Sequence, residues 1–107
     1  MKNPLLLLLV IPALAACTSG EKTMLFECND QNVGEACNKL GKARTGEEAL
    51  AFFRKGCQLE NTNSCVNLAE NTRDEGEAER SLKLACDKGN TTGCTKLAER
   101  LAKKAVK

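Results

Sequence analysis

The chain has 107 residues, 42% of them apolar, which suffices for one small domain. It holds no histidine, tryptophan or tyrosine and three phenylalanines, which excludes a histidine base or histidine metal ligand and argues against aromatic stacking on nucleic acid. Sixteen basic and fourteen acidic residues leave +2, too little and too mixed for a phosphate-binding surface, whereas seven cysteines are many for so short a chain.

In chain order, Lys2 precedes an apolar run from Leu5 to Ile11, continued by Pro12, Ala13, Leu14, Ala15 and Ala16. A charged start, a short hydrophobic run and small residues at its end predict a secretory signal peptide over residues 1–16. The run is too short for a membrane span, which takes ~20 apolar residues. Leu14-Ala15-Ala16-Cys17 resembles the bacterial lipobox. That resemblance implies cleavage before Cys17, diacylglycerol on its sulfur, an N-acyl chain, and anchoring to the lipid bilayer. Each buried methylene of an acyl chain contributes ~0.8 kcal/mol, so two or three chains hold durably. Thr18 after the cysteine, rather than aspartate, implies sorting to the outer membrane, with the protein facing the periplasm. Residues 17–23 are small and polar and read as a flexible tether.

Six cysteines remain, and an even number in an exported chain reads as a disulfide framework. Cys28, Cys57 and Cys86 stand 29 residues apart, and Cys37, Cys65 and Cys94 follow at intervals of 28 and 29. A constant period signals an internal repeat. Other columns obey it. Met24, Phe53 and Leu82 stand four residues before the first cysteines, and Ala49 and Ala78 eight before. Leu40, Leu68 and Leu97 stand three after the second cysteines, and Ala36, Ser64 and Gly93 directly before them.

The spacing between these columns is helical. Ala49, Phe53 and Cys57 fall at i, i+4, i+8, as do Ala78, Leu82 and Cys86. Cys94, Leu97, Ala98, Leu101, Ala102 and Ala105 predict a terminal amphipathic helix. Thr45 to Glu48 and Asp74 to Glu77 have capping-box spacing. Asn61 to Asn63 and Gly89 to Gly93 read as turns inside the cysteine pairs. Each pair thus spans a turn between antiparallel helices, which predicts the bridges Cys28–Cys37, Cys57–Cys65 and Cys86–Cys94. The expected fold is all-α: a short α/α solenoid of antiparallel helix pairs over residues 24–107, repeating about every 29 residues and stapled by local disulfides.

The stretches from Arg54 through Leu68 and from Leu84 through Leu97 resemble SEL-one-like repeats, relatives of tetratricopeptide repeats, and more closely those of the Helicobacter cysteine-rich proteins. That family builds α/α repeats with one disulfide between the helices. This chain departs from it in a shorter repeat, in loops cut down to Lys42 to Gly46 and Asn71 to Asp74, in lacking the usual tyrosine, and in a first unit that reads as a half beginning near Met24.

The resemblance implies the binding of a protein or peptide of the cell envelope, as an adaptor or accessory factor. The competing class is a β-lactam-binding or β-lactamase-like enzyme, an activity ascribed to some relatives. Its means are thin. Ser19 and Lys22 have serine-lysine spacing but lie in the tether, and no lysine-threonine-glycine triplet occurs. The cysteine spacing is wide for a zinc site and lacks the C-x-x-C of redox enzymes, so neither metal nor catalytic residues are predicted. Glu47, Glu48, Glu75 and Glu77 at helix starts and Lys103, Lys104 and Lys107 at the end read as solvated faces complementing helix dipoles.

Overall fold

The computed structural model describes residues 20–106. The signal peptide read over residues 1–16, Cys17, and Lys107 lie outside the described residues. Six helices follow one another: α1 (residues 20–29), α2 (Gly34–Lys42), α3 (Gly46–Gln58), α4 (Thr62–Asn71), α5 (Glu75–Asp87) and α6 (Thr91–Val106). They pair into three antiparallel hairpins, α1–α2, α3–α4 and α5–α6, stacked in sequence into an elongated body. The second helices also meet one another, α2 against α4 and α4 against α6, so they form the closely spaced side of the stack.

One turn design closes all three hairpins. Five residues before the second cysteine the backbone turns left-handed, at Asn32 (φ 56°), Glu60 (φ 64°) and Gly89 (φ 94°). The next N–H then returns to the carbonyl just before the first cysteine: Val33 to Glu27, Asn61 to Gly56 and Asn90 to Ala85, each at 2.9 Å. The last carbonyls of the incoming helix are thereby satisfied and the chain reverses. Asn61 and Asn90 go on to cap the outgoing helix, their side-chain oxygens accepting from the N–H of Ser64 (2.9 Å) and Gly93 (3.1 Å). Val33 occupies the same place in the first hairpin and has no such oxygen.

This reversal brings the cysteines together. Bridges join Cys28 to Cys37, Cys57 to Cys65 and Cys86 to Cys94, with Cα atoms 4.8, 4.6 and 4.5 Å apart. In the chain-entropy model each short loop so closed contributes roughly 2.5 kcal/mol. In the second and third hairpins the crossing is lined by small side chains. Gly56 faces Ser64, and a Cβ added at Gly56 would overlap the Ser64 hydroxyl. Gly93 faces Ala85, and its added Cβ would lie 2.8 Å from the alanine methyl. The periodic columns fill the rest: Phe53, Leu82, Leu40 and Leu68 are buried, while Met24 and Leu97, nearer the ends, are half-buried.

Three local expectations need correction. Residues 20–23, assigned to the tether, are helical, and Glu21 among them pairs with the Arg44 guanidinium between α2 and α3. The first unit is therefore a whole hairpin rather than a half. Neither capping box closes reciprocally. Thr45 makes no cap bond, because Gly46 after it sits at φ 62° and turns the chain away from helical geometry. Asp74 does cap, accepting from the Glu77 N–H at 3.1 Å, but the Glu77 carboxylate turns to Arg54 and Thr72 instead of reaching back.

Candidate binding groove

A groove of about 880 Å³ opens between α3, the end of α2, the end of α4 and the α4–α5 connection. Its floor is apolar, formed by Gly41, Ala49, Leu50 and Phe53. Gly41 is required there, since an added Cβ would stand 2.5 Å from the Phe53 ring. Asn67 and Asn71 line one wall. Asn67 donates to the Asn38 side chain at 2.9 Å, tying α4 to α2, and Asn71 donates to the Asn67 carbonyl at 2.7 Å. Lys42, Arg44, Arg54 and Arg73 give the rim more positive than negative charge, against Glu47 and Asp74.

The rim is held by one knot of polar groups. Arg54 of α3 grips Glu77 of α5 with two hydrogen bonds, at 2.8 and 3.1 Å. The Thr72 hydroxyl donates to the same carboxylate at 2.7 Å and accepts from the Asp74 N–H at 3.2 Å. The hydrogen bond from Arg54, aided by that from Thr72, holds the Glu77 carboxyl below its ordinary range in spite of partial burial. Arg54 is correspondingly raised by its bond to Glu77.

One repeat further on lies a second groove of about 710 Å³, between the α4–α5 corner and α6. Glu75, Lys96 and Arg100 stand 29 residues after Gly46, Asn67 and Asn71 of the first. Here charge replaces amides. Lys96 pairs with Glu70, Arg100 with Glu75 at 2.7 Å, and Lys104 of α6 with Glu79 of α5 at 2.6 Å. Arg100 also donates to the Ala69 carbonyl at 3.0 Å, satisfying the last turn of α4. The Lys96 ammonium is raised by its hydrogen bond to Glu70. Across the hairpin turns Lys88 meets Glu60 at 2.6 Å, which lowers the carboxyl and raises the ammonium.

Four of the charges read as solvated faces, Glu48, Glu75, Glu77 and Lys104, have partners. Glu48 meets Arg44 at 3.2 Å, Glu75 meets Arg100 and Glu77 meets Arg54. Sequence reasoning missed the arginines. The acids of Arg54 and Arg100 lie 23 and 25 residues away, one to two helical turns less than one repeat, and only that offset pointed to them. The disulfides consume all six cysteines of the described residues, and Lys22 is exposed on α1 while Ser19 lies outside them. Among the described residues no three His, Cys, Asp or Glu side chains stand where one metal ion could take them, and no helix is long and apolar enough to cross a membrane. Three disulfides suit an oxidising, extracytoplasmic compartment. No protein-family model matches the chain, and no curated protein or solved structure matches it. What the geometry establishes is a small all-helical domain of six described helices, paired in sequence and held by three local disulfides.

Proposed function

We propose that this chain is a SEL-one-like repeat lipoprotein, anchored through Cys17 to the periplasmic face of the outer membrane, that holds an envelope protein or peptide as an adaptor. The observation carrying this reading is that the groove recurs at the repeat period, so two grooves make one track along the closely spaced helices. The first section offers amides and an apolar floor. The second offers paired charges that a ligand can exchange for its own. A track of this size favours a short segment and a transient contact over a large permanent interface.

The anchor and the groove are tested separately. Cys17→Ala should move the protein from the membrane to the soluble fraction and abolish labelling by radioactive palmitate; retention in the membrane would remove the anchor from the proposal. Benzoylphenylalanine placed at Asn71 should yield, on irradiation of intact cells, an adduct with one envelope protein. Adduct formation should fall when Phe53→Ala empties the floor. An Asn71 probe that yields no adduct would overturn the groove as a binding site.

A further inference from the structure

Among the described residues nothing covers the outer flank of α6. Cys94, Ala98, Leu101 and Ala105 recur at i, i+4, i+7 and i+11, which lines them up along one side of the helix. In α4 the corresponding residues are Cys65 and Ala69, only 0% and 1% exposed, because Ala78, Leu82 and Ala85 of α5 pack with them. After α6 no helix follows among the described residues. Ala98 and Ala105 are exposed, and Leu101 is 48% exposed. Moreover, α6 runs on past Arg100, the counterpart of the last residue of α4, so residues 101–106 lengthen the flank.

A helical stack that ends in water carries a polar outer face on its last unit. The first described helix carries a charge on the corresponding face. Glu27 of α1 stands in the column of Gly56 and Ala85, both buried, where a glycine and an alanine fill the space and a long charged side chain has no room. The α1 of a second copy therefore does not fit against α6. The charge pattern says what does. Arg54 reaches across to Glu77 in the first turn of the following hairpin. Its counterpart Lys83 meets no further hairpin among the described residues and holds Asp87 of its own helix, with its side chain 70% exposed.

We propose that this flank docks an amphipathic helix donated by a partner protein, one that imitates α5. Such a helix carries a small residue, a large apolar residue four positions on and a small residue seven on, as Ala78, Leu82 and Ala85 do. An acid directly before the first small residue, as Glu77 is, pairs with Lys83. The same interface thus serves between hairpins and between proteins. This names a partner chemistry for the interaction reading but uses a surface separate from the groove.

The test places benzoylphenylalanine at Leu101 of the full chain, with irradiation in intact producing cells and mapping of the adduct by mass spectrometry. The expected adduct lies in an amphipathic helix of another protein with this residue spacing. Ala98→Arg in the same chain should cut its yield by about tenfold or more and Lys83→Glu by several-fold, with the helical circular dichroism of both unchanged, as suits exposed sites. No adduct, an adduct with a second copy, with lipid or with a non-helical segment, or indifference to Ala98→Arg would overturn the proposal. An adduct at Asn71 with none at Leu101 would sink this proposal and leave the groove standing; the converse would sink the groove alone.

Discussion

The middle and last hairpins are built from the same residue columns yet live in different surroundings. Leu68 of α4 is 3% exposed, and its counterpart Leu97 in α6 is half-buried. Cys57 and Cys65 are buried, whereas Cys86 and Cys94 are half-buried. The difference comes from neighbours and not from local sequence: α4 is covered by α3 on one side and α5 on the other, while α6 has α5 and the edge of α4. A staple that closes a short loop does the same work in both hairpins. Burial does not, so the contribution of packing should fall towards the carboxyl end while that of the bridges stays level.

The sharpest way to break this contrast is to truncate the leucine column. Leu68→Ala should cost about 2–5 kcal/mol in urea unfolding, as for other fully buried leucines. Leu97→Ala should cost well under half as much, and equal losses would mean that burial is not what separates the two hairpins. Next come the bridges. Removing Cys57–Cys65 by paired serine substitution should cost at least roughly 2.5 kcal/mol, the loop term plus the burial of two hydroxyls, while removing Cys86–Cys94 should cost the loop term alone. Timed alkylation with a soluble dithiol should open Cys86–Cys94 first.

A smaller effect concerns the tie between the two hairpins. Glu77→Gln should destabilise by about 1 kcal/mol at neutral pH, a partly exposed charge-assisted pair being worth no more. Because the folded carboxyl lies below its ordinary range, this contribution is complete above that range and is lost as pH falls through the lowered folded value. The gap between wild type and variant should therefore close on acidification, and a gap independent of pH would contradict the assignment. The smallest expected change is a gain. Val33→Asn supplies the cap that Asn61 and Asn90 supply in the other hairpins and should add about 0.5–1 kcal/mol, raising Tm.

Most of the architecture was legible because it rests on periodic features. The cysteine spacing marked hairpins, and the Phe53–Leu82 and Leu40–Leu68 columns marked their buried sides. What stayed hidden depends on three-dimensional neighbours. Thr45 looks like a cap until the left-handed Gly46 turns the chain away from it, and no propensity announces that Glu60 will take the backbone place of Gly89. The sequence implies only the binding of a protein or peptide and does not say where the grooves lie. Their rims depend on the pairing of Arg54 with Glu77 and Arg100 with Glu75, which is set by how one hairpin leans on the next or folds on itself.

The tight crossings carry a consequence for how such a chain can change over generations. In the second and third hairpins Gly56 lies against Ser64 and Ala85 against Gly93, so both crossings hold one glycine and one slightly larger residue, with the order reversed. The quantity under selection is the joint volume of the two positions rather than either identity. Growth at one must be answered by loss at the other, and these two hairpins place the glycine on opposite sides.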